Sequence, residues 1–192
     1  MKRIGIIGGG ISGLYFANII NNHPEFDYKI FEKRSSFDLE EGYGVQLSVN
    51  SIKLLNKLGF KNLPASEVYF PRKVNFFQSK NSKKICDIDL LQFNDNQNRY
   101  TTLKRSTLIK FLLQNIPKEK IKLDISLSNL EKNNKIKVCF SDKSKEDFDF
   151  LVIADGVFSK SRSIIFENII KPKYNNSIAF RGQLDEYNNN DI

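Results

Sequence analysis

A short β-branched run, Arg3 to Ile7, leads into the spacing Gly8-x-Gly10-x-x-Gly13 and then into an apolar stretch ending at Ile20. Glycines at these intervals leave a chain few options. The first permits a tight turn, the second lets backbone N–H groups approach a pyrophosphate, and the third lets a helix pack closely on a strand. The pattern predicts strand, glycine loop and helix over residues 3–20, with a second strand at Tyr28 to Glu32. This is one βαβ unit, whose crossover is expected to be right-handed, so the sheet begins parallel.

Glu32 ends that second strand, 19 residues after Gly13, where a carboxylate can accept from a ribose 2′-hydroxyl. A dinucleotide with a free ribose hydroxyl is implied, although Lys33 and Arg34 soften the repulsion that Glu32 would exert on a 2′-phosphate. The expected contacts in this part are Gly8, Gly10, Ile11, Ser12 and Gly13 at the helix start, whose N-terminus faces phosphate charge, and Glu32, Lys33 and Arg34 beyond the second strand. The fingerprint alone does not separate NAD from FAD.

Further along, the residues predict a short helix from Ser51 to Leu58 capped by Asn50, two strands at Val74 to Gln78 and Lys84 to Leu90, and a helix from Ser106 to Gln114. Ser126 to Leu130 and Lys135 to Phe140 flank an Asn133-Asn134 turn, and Phe148 to Ala154 reads as one buried strand. Ser159 or Ser161 can cap a helix running toward Asn168, and Ser177 to Leu184 is a last strand candidate.

Composition narrows the chemistry. The 192 residues are 40% hydrophobic with 16 Phe and 7 Tyr, enough for a sizeable core. Cys86 and Cys139 cannot build a disulfide framework and have no ligand-spaced neighbours, so no metal is expected and a reduced, cytoplasmic setting is the default. The single histidine, His23, precedes Pro24 in a helix-ending context, which speaks against Ser-His-Asp and zinc chemistry. The net charge of +8 comes from scattered lysines without a stacking motif, so no nucleic-acid partner is expected. The apolar stretch after Met1-Lys2-Arg3 is broken by glycines, which opposes a signal peptide, and no run approaches a membrane span.

Leu151-Val152-Ile153-Ala154-Asp155-Gly156, followed by Ser159-Lys160-Ser161-Arg162, resembles the second, Asp-Gly fingerprint of the FAD-dependent aromatic-ring hydroxylases, a flavoprotein monooxygenase family that includes the para-hydroxybenzoate and salicylate hydroxylases. Glu41-Gly42-Tyr43-Gly44-Val45-Gln46-Leu47 is similar to the family's Gly-x-Gly loop, Arg105-Ser106-Thr107-Leu108 to its Arg-x-x-Leu helix start, and Ile178-Ala179-Phe180-Arg181-Gly182 to an Ala-x-Arg-Gly strand. The resemblance implies an α/β fold: a Rossmann-like FAD-binding domain with a parallel sheet, a helical face and a small antiparallel sheet, and the start of a substrate-binding sheet. Residues 1–67 and 92–172 would form the FAD-binding domain, with 68–91 and 173–192 beginning the substrate-facing sheet.

The resemblance further implies that Gly8, Gly10 and Gly13 hold the FAD pyrophosphate, Glu32 the adenosine ribose and Arg105 the phosphate side, that Gly44 and Val45 line the cofactor, and that Asp155 and Gly156 close over the pyrophosphate. Arg162 would bear on NAD(P)H use. The expected activity is NAD(P)H-dependent hydroxylation of a small aromatic substrate with O2; the alternatives are an FAD-dependent reductase, dehydrogenase or epoxidase of related fold, or a non-catalytic FAD-binding fragment. No general base stands out, so no catalytic residue is named. The family's later Gly-Asp fingerprint is missing, since Gly-Asp occurs nowhere in the chain, and an N-terminal portion of a longer enzyme is the expectation.

Overall fold

In chain order the strands and helices are β1 (Lys2–Ile7), α1 (Ile11–Ile20), β2 (Phe26–Phe31), β3 (Gly44–Leu47), α2 (Val49–Asn56), β4 (Lys73–Phe77), β5 (Lys84–Asp89), β6 (Thr101–Lys104), α3 (Arg105–Leu113), β7 (Ile121–Lys122), β8 (Leu127–Lys132), β9 (Ile136–Phe140), β10 (Lys145–Phe148), β11 (Phe150–Ile153) and α4 (Lys160–Ile165). They come from a computed structural model that describes residues 1–37, 43–166 and 171–179. Two units form, one from residues 1–39 and 109–179, the other from 40–108 and 180–192.

The first unit has the α/β architecture that the sequence implies. Its parallel sheet runs β11-β1-β2-β7, so the first strand lies inside it, with Ile4 beside Tyr28 on one edge and Phe150 on the other. Alternation along β1 sends Ile6 toward α1 and Ile7 to the opposite face, as the two-residue strand period requires. On that opposite face Ile7, Phe31, Val138, Phe140 and Phe148 form a buried cluster beneath the antiparallel sheet β10-β9-β8. Phe31 stacks on Phe140 at 4.3 Å and meets Phe148 edge-on at 5.8 Å. Burying each of these rings contributes about 1.5–3 kcal/mol. Gly5 lies where a Cβ would stand 2.8 Å from Leu151 Cδ1, which explains a glycine inside a strand.

Charge joins the layers at their rim. The Glu146 carboxylate on β10 accepts from Arg3 at 3.0 Å, Lys29 at 2.9 Å and Lys122 at 2.9 Å, one cation from each of β1, β2 and β7. Burial pushes the Glu146 carboxyl up, but the hydrogen bonds from Lys29 and Lys122 prevail and hold it below the usual glutamate range.

Several boundaries differ from the expectation. The run 148–154 is two strands that change sheets at Asp149, because Asp149 Oδ2 accepts the Arg3 N–H at 2.8 Å while its own N–H donates to the Arg3 carbonyl. The helix after β3 begins at Val49, with Ser48 rather than Asn50 at the cap position. Ser159, and not Ser161, caps α4, accepting from the Arg162 N–H at 3.0 Å. Ser177–Ala179 carry no strand, and the rest of that candidate, Arg181 and Gly182 included, lies outside the described residues, as do Glu41, Gly42 and Asn168.

In the second unit β3 pairs antiparallel with β6, Val45 opposite Leu103, a pairing that the sequence reading did not anticipate. Tyr69 and Thr102 exchange backbone hydrogen bonds at 2.8 and 2.7 Å. The β4–β5 ribbon sets Val74 beside Ile88 and Phe76 beside Cys86 on one face, and Asn75 beside Asp87 on the other.

Candidate functional site

The ends of β1, β2 and β11 meet at the glycine loop. The Gly8 N–H donates to the Phe31 carbonyl at 2.8 Å and the Ala154 N–H to the Ile7 carbonyl at 2.7 Å, so the first and second fingerprints are tied through adjacent strands. Gly8 has φ +107°, and a Cβ there would run into the Ala154 carbonyl; a Cβ on Gly13 would run into the Gly8 carbonyl. Both positions therefore exclude other residues, one by conformation and contact, the other by contact alone.

Gly10 caps α1 with no side-chain hydrogen bond, and no acidic residue stands in the first turn. A Cβ on Gly10 would meet nothing within 4 Å. The N–H groups that follow, at Ile11, Ser12 and Gly13, belong to the turn of a helix that has no intrahelical acceptor for them, so the helix start offers donors and positive potential beside open space.

Glu32 is fixed from both sides. Its Oε2 accepts the Gly9 N–H at 2.7 Å and its Oε1 accepts the Arg34 N–H at 3.0 Å, while its own N–H donates to the Lys122 carbonyl and its carbonyl accepts from Ile125. A carboxylate has about four lone-pair directions, so acceptors remain for a ligand. Gly9 was overlooked in the sequence because the Gly8-Gly9-Gly10 run hides which member matters. Here it supplies the Glu32 contact, and a Cβ on it would stand 2.8 Å from Phe37 Cε1. Lys33 and Arg34 are exposed beside this carboxylate.

At the end of β11, Asp155 Oδ2 accepts the Ser161 N–H at 3.2 Å, and its Oδ1 is buried with no donor among the described residues. Gly156 has φ +87° and open space where a Cβ would be. Arg162 bends back, Nη2 donating to the Val157 carbonyl at 3.1 Å.

Gly44, Val45 and Arg105 lie in the second unit. Gly44 pairs with Lys104 and Val45 with Leu103, and the Arg105 N–H donates to the Tyr43 carbonyl at 3.1 Å, so these three are neighbours at one end of the β3–β6 pair. Gln46 accepts from the Tyr100 hydroxyl at 3.2 Å, and Tyr43 is exposed. Among the described residues no group of three or more His, Cys, Asp or Glu could hold a metal ion, and no helix is long and apolar enough to cross a membrane. His23 is exposed, as is the free Cys86.

An uncapped helix start with room above it, a pinned carboxylate at the end of the neighbouring strand β2 and, at the end of β11 on the other side, a buried carboxylate oxygen with no donor among the described residues stand together at the ends of three adjacent strands. The residues present fit a dinucleotide in donor set and in space.

Comparison with known proteins agrees. The family described as NAD(P)-binding Rossmann-like domain matches residues 6–37. Salicylate hydroxylase of Pseudomonas putida is 24% identical over 196 residues, covering 95% of this chain and 43% of its own length. A monooxygenase of Emericella nidulans is 29% identical over 190 residues, covering 90% of this chain and 42% of its own. Among solved structures, 2,6-dihydroxypyridine-3-hydroxylase from Arthrobacter nicotinovorans superposes with a TM-score of 0.71 at 18% identity over 91% of this chain and 41% of its own. Klebsiella pneumoniae HpxO complexed with FAD and uric acid gives 0.70 at 19% identity over 84% and 41%. The chain thus spans about two fifths of the length of these proteins. Over more than four-fifths of its own length the chain is similar to proteins named as hydroxylases and monooxygenases, FAD-dependent monooxygenases among them.

Proposed function

We propose that this chain is the FAD-holding portion of an NAD(P)H-dependent monooxygenase that hydroxylates a small aromatic substrate with O2. The observation that carries the reading is the meeting of Gly8–Gly13, Glu32 and Asp155 at the ends of three neighbouring parallel strands. The N–H groups of Ile11, Ser12 and Gly13 would take the pyrophosphate charge, and Glu32 would accept from the adenosine ribose, held in place by Gly9 and Arg34. Asp155 Oδ1 is an acceptor with no donor among the described residues, so it suits a ligand hydroxyl better than a phosphate oxygen. Of the second unit's residues, Arg105 carries a guanidinium that matches phosphate geometry, with Gly44 and Val45 beside it. Bound FAD would supply the redox chemistry with O2; the chain's part is to bind and orient it. Residues 68–91, with the β4–β5 ribbon, would begin the substrate-facing sheet, and NAD(P)H would serve as reductant.

The test is an FAD titration of the purified 192-residue chain, followed by flavin fluorescence quenching and retention on filtration. Saturable, retained flavin that is lost in Gly10→Val supports the reading. A folded chain, by circular dichroism, that neither quenches nor retains FAD overturns it.

A further inference from the structure

The second unit carries two adjoining hollows built wholly from its own residues. One, about 300 Å³, is walled by Ile52, Phe60 and Leu63 and includes Asn56; the other, about 510 Å³, includes Arg72 and Asp95; Phe70 and Arg99 line both. The Tyr69–Thr102 backbone pair holds the Phe70–Arg72 segment beside Arg99, and the Arg99 guanidinium stands 5.6 Å over the Phe70 ring.

The loop behind Arg99 is fixed by its own hydrogen bonds. Asp95 Oδ1 accepts from the Gln97 N–H at 2.8 Å, the Asn98 N–H at 2.7 Å and the Asn98 side-chain amide at 2.9 Å, so that this carboxylate serves the loop. Buried Asn98 in turn accepts from Asn56 Nδ2 at 3.0 Å, and the same Nδ2 donates to the Gln97 carbonyl at 3.1 Å. Two acceptors on one side settle the amide's orientation, because a flipped amide would set oxygen against oxygen. Asn56 Oδ1 is left buried with no donor among the described residues, a state that costs free energy until a donor arrives. Arg72 and Arg99 are exposed and make no ion pair among the described residues.

We propose that this site binds a small carboxylic acid: its carboxylate lies against Arg99, with Arg72 across the adjoining hollow, its ring-sized apolar body lies along Phe60, Leu63 and Phe70, and an N–H or O–H on that body donates to Asn56 Oδ1. A guanidinium fork matches a planar carboxylate in a way a lysine does not. A monoanion is favoured over a phosphate dianion by Asp95, whose charge remains nearby although its oxygens are engaged. The smaller hollow is of the size that a single substituted ring fills.

The test is a nitrogen-15 NMR titration of the 192-residue chain without FAD, using 3-aminobenzoate, benzoate, benzyl alcohol and inorganic phosphate. The expected result is saturable shifts with 3-aminobenzoate at residues 52–63 and 94–101, including the Asn56 side-chain amide, with weaker binding of benzoate. Arg99→Gln, an exposed position, should weaken 3-aminobenzoate about tenfold, or about 1.4 kcal/mol, and Arg72→Gln by less, with unchanged circular dichroism. Equal shifts from benzyl alcohol, equal affinity in both arginine variants, saturation by phosphate alone, or no saturable shift up to about 10 mM would each overturn the proposal. Because FAD is left out, these outcomes are independent of the flavin reading.

Discussion

The Glu32 carboxylate takes the Gly9 N–H at 2.7 Å, so the residue proposed to read the ribose is braced by the same glycine loop proposed to hold the pyrophosphate. Loss of the carboxylate therefore loosens two contacts together. Glu32→Ala should weaken FAD binding about 10- to 100-fold, while Glu32→Gln, which keeps an acceptor oxygen, should cost about tenfold or less. Fluorescence titration of the two variants checks the order.

Gly13 has no room for a side chain against the Gly8 carbonyl. Gly13→Val forces α1 away from β1, and we expect a loss of about 2–4 kcal/mol in chemical denaturation together with loss of flavin retention. Gly10→Val, where a Cβ meets open space, should abolish retention with under about 1 kcal/mol lost. A Gly10→Val chain that unfolds as readily as Gly13→Val would contradict this contrast.

Glu146 gathers Arg3, Lys29 and Lys122 while only 13% exposed. Its carboxyl is held below the ordinary value of 4.5, so its stabilisation is fully present above that value and is lost as pH falls through the lower folded-state value. Glu146→Gln should cost on the order of 1–3 kcal/mol at neutral pH and flatten the acid limb of the stability profile. Urea melts at stepped pH measure both.

Burial, followed by the negative charges of Asp27 and Glu119, pushes the Tyr28 phenol up to about 12, and its hydroxyl donates to Asn21 Oδ1 at 2.6 Å. Because the folded-state value lies above the ordinary 10.0, its contribution is complete below pH 10 and is lost as pH rises toward about 12. Spectrophotometric titration should show one tyrosine ionising only in that upper range, and Tyr28→Phe should remove that step.

Local features were the most legible in the sequence. Gly8, Gly10, Gly13 and Glu32 lie within one βαβ unit, whose spacing states its own geometry, and β11 was recognisable as an apolar strand ending in Asp155-Gly156. What escaped depends on distant partners. Gly44–Leu47 is a strand only because Thr101–Lys104 pairs with it, and four residues carry too little periodicity to announce that. Asp149 breaks an apolar run for the sake of Arg3, far away in sequence. The chain of polar bonds from Asp95 through Asn98 reaches from a loop to Asn56 at the end of α2, and residues of these types signal turns and helix ends and nothing about such a partner. Gly9 and Phe37 were hidden because neighbouring glycines look alike until packing tells them apart.

The interior place of β1 sets the order of synthesis against the order of assembly. Ile4 is synthesised well before its neighbour on one edge, Phe150, which follows 146 positions later. Until then that edge of β1 presents unpaired amides and an apolar surface, so the nascent chain depends on delayed collapse or on chaperone cover. Closing so long a loop is slow. Refolding of the released chain should therefore be limited by the arrival of β11, with β1 and β2 joined through their helix long before.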